Sequence, residues 1–248
     1  MNEVVVKLMQ HRSVRSFDPT PIPEAHLREI VAAGQMASTS SNVQAYSVIA
    51  VTDPALKREL SVLTGNQAYV DTCPAFLVWC ADLNRLSAAA AAHIEPGGET
   101  YADSAESFIV ATVDASLAAQ NAATAAESMG YGICYIGGIR NRIEEVSSLL
   151  GIPSLAYPVF GMCVGLPDQP SGQRPRLPVE AVLHWNRYED ERGQGPVEQY
   201  DETMTRYLQM RTEGRKSTPW TKIMAEWVTR PNRLHMLAYL KKRGFLQR

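Results

Sequence analysis

The sequence predicts an α+β fold: a small, mostly antiparallel central sheet packed by helices, with a helical C-terminal extension. Four short runs rich in β-branched and aromatic residues occupy the first two thirds of the chain, an unusually long Ala-rich stretch lies between the second and third, and the last quarter reads as helix. No break is long enough, or rich enough in Pro, Gly and Ser, to divide the chain. Residues 1–248 are therefore expected as one domain, with 197–248 as a helical excursion within it.

Val4, Val5 and Leu8 give a short amphipathic helix, and Pro21-Ile22-Pro23-Glu24 opens a second that runs to about Gly34. Too many hydroxyls compete with the backbone in Ala37-Ser38-Thr39-Ser40-Ser41-Asn42, which is read as a polar loop. A strand follows over 46–51, and Asp53-Pro54 supplies an N-cap and first-turn proline for a helix ending near Leu63. The run 75–80 is continuously apolar and reads as a central strand. Residues 87–98 contain Pro96-Gly97-Gly98 and read as a helix edge and a mobile turn.

From 104 to 129, Phe108, Val113, Leu117 and many alanines describe a long, nearly all-apolar helix closed by Gly130. It is expected to be the buried axis of the fold, and its small side chains suit a close helix approach at a subunit contact. A third strand is expected over 131–136, a helix over 138–150 stopped by Gly151, and a fourth strand over 157–164. Three C-terminal helices are expected to start near Val197, Thr218 and Pro231, separated by the polar loop 211–217 and a break at Arg230-Pro231.

The composition excludes several classes of function. The chain is 45% apolar with a formal net charge of −2, and its basic residues are dispersed among as many acids. There is no global reason to bind nucleic acid or an anionic membrane, and the local basic clusters point to small anions. No run approaches the roughly 20 apolar residues of a membrane span, and residues 1–10 are too short and polar for a secretory signal. A cytoplasmic location is expected. Cys73, Cys80, Cys134 and Cys163 lack CxxC spacing and sit in apolar, strand-like contexts, as small buried hydrophobes do. His26, His93, His184 and His235 are scattered without ligand spacing, so no metal site is expected.

The stretch His11-Arg12-Ser13-Val14-Arg15-Ser16-Phe17 gathers an imidazole, two guanidiniums and two hydroxyls, a set that suits a phosphate. A solvated basic corner has the same composition. Tyr135-Ile136-Gly137-Gly138 follows a strand and precedes a helix, where two glycines allow close backbone approach to a planar ligand; a packing turn would look the same. Gly130-x-Gly132 lacks the third glycine and the acidic partner of a dinucleotide fingerprint. Pro175 restricts the geometry of Arg174 and Arg176 in a Gly/Pro-rich loop, and Gln67 carries an amide able to pair with an imide-like edge or to cap a turn. No nucleophile elbow or acid–base dyad accompanies these groups. A glycine-lined anion site without its own acid–base pair suits a protein whose cofactor carries the chemistry.

In order along the chain, HRSVRSF, ASTSSNVQAYS, LTGNQAYV, the Ala-rich helix, GICYIGGIRN, FGMCVGLP and RPRLP closely resemble the nitroreductase superfamily, in particular its oxygen-insensitive NADPH nitroreductase and NADPH-dependent FMN reductase group. The resemblance spans nearly the whole chain. It implies a nitroreductase-like homodimer with FMN at the subunit interface and NADPH as co-substrate. By the same matching, His11, Arg12 and Ser13 face the phosphate and ribityl side, and Arg15 the N1/O2 side of the flavin. Thr39 and Ser40 approach from the partner subunit, Gln67 pairs with the pyrimidine edge, and Tyr135 and Ile136 lead to Gly137 and Gly138, whose backbone donors face N5 and O4. Arg174 and Arg176 match a second phosphate clamp whose common pattern is Lys-Pro-Arg.

Arg211, Arg215 and Lys216 match the NADPH-binding region in general character only, and residues 87–98 match no motif. The implied reaction passes electrons from NADPH through FMN to free flavin, nitroaromatics or quinones in alternating half-reactions, with no side-chain base because the flavin carries the hydride. A flavin-binding or storage protein with little turnover is the alternative.

Overall fold

The computed structural model describes residues 2–248. Its sheet holds four strands, β1 (Tyr46–Val51), β2 (Ala75–Asp82), β3 (Gly132–Ile136) and β4 (Ala156–Gly165), in the order β1-β2-β4-β3, with every neighbouring pair antiparallel. β2 and β4 are central. β2 is buried along its whole length, which is why it reads as an unbroken apolar run. Its alternate residues serve two cores: Leu77 and Trp79 face one, Phe76 and Val78 the other.

The first core is closed by α2 (Glu24–Gln35) and α6 (Ala105–Ser128). α6 is capped by Ser104, whose hydroxyl accepts from Ser107 N at 3.1 Å. Ala111, Ala115, Ala118, Ala119, Ala122 and Ala126 form its buried face, and Gly34 lies so close that an added Cβ would stand 2.9 Å from Ala118 O. α6 lines the first core along this alanine face, while Ile109, Val113 and Leu117, spaced i, i+4, i+8, are 53%, 47% and 45% exposed, so the expected buried axis is open on one side. The second core is closed by α3 (Pro54–Leu63), α4 (Ala68–Thr72) and α7 (Ile143–Leu149). The short α4 has no counterpart in the sequence reading.

The helix expected over 138–150 is interrupted. Gly137–Arg140 forms a single tight turn, Arg142 leaves the helical region (φ −124°, ψ 56°), and only then does α7 begin. Residues 87–98 do carry helix at their start, as the end of α5 (Asn84–Ala90), followed by a short turn and the Pro-Gly-Gly bend. α1 (Glu3–Met9) is capped by Asn2, whose Oδ1 accepts from Val5 N at 2.9 Å.

The chain separates into two compact units, one running to Ser171 and taking in Arg233–Arg248, the other Gly172–Asn232. In the first, the chain end returns through α10 (Met236–Lys242), and Phe245, fully buried, meets Phe108 and Tyr157 edge-on at 6.0 and 5.4 Å. The second unit is built on α8 (Gln194–Arg211) and α9 (Trp220–Thr229). Tyr200 packs edge-on against Trp220 at 5.7 Å, and Asp201 Oδ1 accepts from Thr221 N at 2.8 Å.

Candidate functional site

The basic stretch near the N-terminus lies along the free edge of β3. Ser13 forms a parallel bridge with Ile133, Val14 N donates to Ile133 O at 2.9 Å, and Phe17 bridges Pro167. Val14 and Phe17 are buried anchors, so Arg12 and Arg15 between and beside them are turned outward and exposed. Gly132 is required opposite: an added Cβ would stand 2.8 Å from Val14 Cβ. His11 Nδ1 pairs with Glu127 Oε1 at 2.7 Å at the end of α6, and Arg12 Nη1 donates to Gln10 O at 3.2 Å. Arg12 therefore keeps most of its donors free for a ligand.

A second piece is the turn between α3 and α4. Gly65 and Asn66 are left-handed there (φ 98° and 56°), and Gln67 ends the turn with its side chain folded back to donate Nε2 to Thr64 O at 2.6 Å. The Tyr69 hydroxyl donates to Gln67 Oε1. Because a carbonyl only accepts, Thr64 O fixes which end of the Gln67 amide is nitrogen. Tyr69 was not anticipated from the sequence, although it stands two residues beyond Gln67 in the quoted motif. Burial raises its phenol, while Arg15, hydrogen-bonded to it, works in the opposite direction. Cys134 lies beneath the same groups: burial raises its thiol, and Arg15 and Ser13 oppose the shift.

The third piece is the turn after β3. Gly138 is buried against the Gln67 turn, and a Cβ there would fall onto Gln67 Nε2 and Thr64 O. Gly137 is open by contrast, since a Cβ would meet only Arg140 Nη2 at 3.5 Å. Of the two preceding residues, Ile136 points into the second core, and Tyr135 packs edge-on against Phe160 at 5.1 Å with its phenol raised by burial. Ile136 therefore offers a ligand only its backbone, while the Tyr135 ring is half-buried. Ser13, Arg15, Tyr69, Gln67 and Gly138 thus form one continuous set of contacts at the β3 edge.

Thr39 and Ser40 are held elsewhere in the same unit. Asp114, 1% exposed on α6, accepts from Ser40 N and Ala45 N at 3.1 Å each, and Thr39 Oγ1 accepts from Gln44 N at 3.3 Å. Between these bonds Ser41, Asn42 and Gln44 are all left-handed, so a buried carboxylate braces an unusual loop. Asp114 is the only acid between Glu106 and Glu127 in an Ala-rich helix, and a lone charge on an apolar face signals such a partner.

The remaining candidates lie in the second unit. Arg176 Nη1 donates to Arg174 O at 2.8 Å, and Tyr200 donates to Pro175 O at 2.9 Å. Burial raises the Tyr200 phenol, and both arginines oppose it. Arg211, at the end of α8, donates to the Tyr207 hydroxyl at 2.6 Å, Arg215 Nε donates to Thr212 O at 3.0 Å, and Lys216 N donates to Thr212 Oγ1 at 2.9 Å. Among the described residues no group of three or more His, Cys, Asp or Glu side chains could hold a metal ion, and no helix is long and apolar enough to cross a membrane.

Comparison with known proteins adds to this geometry. A model described as "Nitroreductase family" matches residues 8–166, and one described as "Nitroreductase family, C-terminal domain" matches residues 174–248. The chain is 44% identical over 238 residues to a CR(VI) reductase of Pseudomonas sp. strain G-1, covering 96% of this chain and 97% of that protein. It is 42% identical over 250 residues to an FMN reductase (NADPH) of Bacillus subtilis, covering 99% of each. A solved B. subtilis nitroreductase superposes with a TM-score of 0.94 at 41% identity, over 99% of this chain and 100% of that one.

Proposed function

The chain belongs to the nitroreductase family, and from that premise we propose that it is an NADPH-dependent FMN reductase and nitroreductase that works as a homodimer. The observation that carries this reading is the contact set at the β3 edge. The Arg15 guanidinium is joined through Tyr69 to the oriented amide of Gln67, Gly138 packs against that amide, the backbone of Gly137 beside it is unobstructed, and the exposed Arg12 stands three residues before Arg15 on the same stretch. Those groups fit FMN: cations for its phosphate and for the N1/O2 side, an amide for its pyrimidine edge, and backbone N–H groups for N5 and O4. When bound, FMN supplies the two-electron chemistry, accepting from NADPH and delivering to a second substrate in alternating half-reactions.

The chain's own residues do the rest. Arg15 puts a fixed positive charge where negative charge gathers on reduction, which favours the reduced cofactor. Tyr69, pressed against both Arg15 and Gln67, keeps the two from drifting apart. Arg12, Arg174 and Arg176 are assigned to the phosphate, His11 and Ser13 to the ribityl side, and Thr39 and Ser40 to the partner subunit's flavin. Arg211, Arg215 and Lys216 are assigned to the 2′-phosphate of NADPH.

Dimerisation is supported by the exposed stripe Ile109, Val113 and Leu117 on α6 and by Trp185, Tyr188, Trp227 and Val228, each more than 60% exposed in the single chain. A pyridine-nucleotide donor and four free, buried cysteines suit a reducing, cytoplasmic setting. Free flavin, nitroaromatics and quinones are the proposed acceptors. The test is to measure FMN per subunit in purified protein and its NADPH-dependent turnover with one member of each acceptor class. One FMN per subunit with turnover of at least one class is expected, and a colourless protein that takes up no added FMN would overturn the reading.

A further inference from the structure

The Gln67 amide is not held by its own turn alone. Thr64 O, which fixes its polarity, receives a second hydrogen bond, from Asn141 Nδ2 at 3.1 Å. Asn141 in turn accepts through Oδ1 from Arg233 Nε at 2.9 Å. Arg233 can only donate, so it decides which end of Asn141 is oxygen and leaves the nitrogen facing Thr64. One residue pair further on, His235 Nε2 meets Arg140 O at 2.9 Å, so the returning chain is fastened to the Gly137–Arg140 turn at two places.

The turn being braced closes α3 in a left-handed conformation. Asn66 is a non-glycine residue at φ 56°, Gly65 is at φ 98°, and a Cβ on Gly65 would already stand 3.1 Å from Asn141 Nδ2. Gly and Asn adopt this conformation readily after a helix, so the turn is unstrained and the network fixes where its Thr64 carbonyl points. Arg233 is itself left-handed (φ 51°), at the point where the chain re-enters the first unit.

From this network we infer that Asn141 is a positioning residue for the flavin edge, acting through Thr64 O on Gln67, and that Arg233 sets the polarity of Asn141. The inference rests on the proposed pairing of Gln67 with the flavin pyrimidine. Neither Asn141 nor Arg233 touches that edge. Their role is to keep one N–H and one lone pair of Gln67 aimed outward once Thr64 and Tyr69 have taken the others.

The test is a double-mutant cycle on FMN affinity, read by quenching of FMN fluorescence when apo-protein is titrated. Asn141→Ala is expected to weaken FMN about 5- to 10-fold, the equivalent of one neutral hydrogen bond. In a Gln67→Ala background the same change is expected to cost less than about twofold, because the group it positions is gone. Arg233→Ala removes a half-buried side chain that touches Asn141 and should show the same pattern at smaller size. A loss from Asn141→Ala that is equal in both backgrounds, or no loss in either, would overturn the inference.

The side-chain amide protons of Gln67, observed by NMR without FMN, keep the two readings separable. Inequivalent, slowly exchanging protons that become exchange-averaged in Asn141→Ala support the relay even if FMN fails to bind. Unchanged protons overturn it even if FMN binds.

Discussion

Replacing Gly138 by Ala is expected to damage the site in a way that the neighbouring Gly137→Ala does not. A Cβ at position 138 would fall onto the backbone carbonyl of Thr64 and the amide nitrogen of Gln67, and the carbonyl is pinned by Asn141. Relief requires the turn to move, at an overpacking cost of about 1–3 kcal/mol, together with about 1 kcal/mol for the lost Gln67–Thr64 hydrogen bond. For a chain of this length each kcal/mol lowers Tm by about 2–4 °C, so Gly138→Ala should melt about 5–15 °C lower. Displacement of Gln67 should also weaken FMN binding at least about tenfold, or 1.4 kcal/mol.

At Gly137 the added Cβ meets only the flexible end of Arg140, at 3.5 Å, so Tm should stay within about 2 °C. The methyl group would nevertheless stand on the face proposed for the flavin, and FMN affinity should fall. Thermal melts of the apo-proteins combined with FMN fluorescence titration separate the two effects. A Gly138→Ala protein as stable as wild type, or equal destabilisation by both substitutions, would refute the packing argument.

Other expectations concern the wider site. Arg12→Ala or Arg176→Ala should each weaken FMN about 10- to 100-fold, the worth of one charge-assisted bond of about 1.5–3 kcal/mol; flavin retention after gel filtration checks this, and full retention in both would rule out the clamp. Val113→Asp places a charge in the exposed apolar stripe of α6 and should yield a monomer depleted of FMN, where sedimentation showing an intact yellow dimer would contradict the assigned interface. Arg211→Ala with Arg215→Ala should raise KM for NADPH and scarcely alter KM for NADH, whereas equal losses would mean the loop does not read the 2′-phosphate.

Alkali should destabilise the fold by a calculable route. Burial pushes the Cys80 thiol from 9.0 up to about 12 and the Tyr157 phenol from 10.0 up to about 12. Their neutral forms therefore contribute stability that is full below pH 9 and is lost as the pH climbs towards 12. Urea unfolding across that range should fall less steeply for Cys80→Ala, and an identical slope would contradict the assignment.

Legibility from sequence followed the range of the interactions involved. β2 and the cap of α3 depend on residues within a few positions of one another, and they are readable from an apolar run and from Asp53-Pro54. The helix expected over 138–150 broke because Gly138 must nestle against Gln67, a contact between residues far apart in the chain. Asp114 and Asn141 escaped notice for the same reason: their partners lie 74 and 77 residues away. Local propensity has no term for such pairs. The half-exposed stripe on α6 is illegible for another reason: an apolar residue facing solvent in one chain and one facing a core have the same composition, so sequence does not divide the expected buried axis and subunit contact between the helix faces. The basic and glycine-rich candidates were found because their chemistry is carried by residue type. Of these, Arg15, Gln67 and Gly138 are joined within the first unit through Tyr69, and Ser13 meets the same group through Cys134.

The contact set at the β3 edge is proposed to hold an FMN that NADPH can reduce. An anaerobic titration of the FMN-loaded protein with NADPH, followed by flavin absorbance, is the direct test. Loss of the oxidised flavin band at one NADPH per FMN, with full return on adding a quinone or nitroaromatic, is the predicted result. A flavin band that persists through excess NADPH would contradict it.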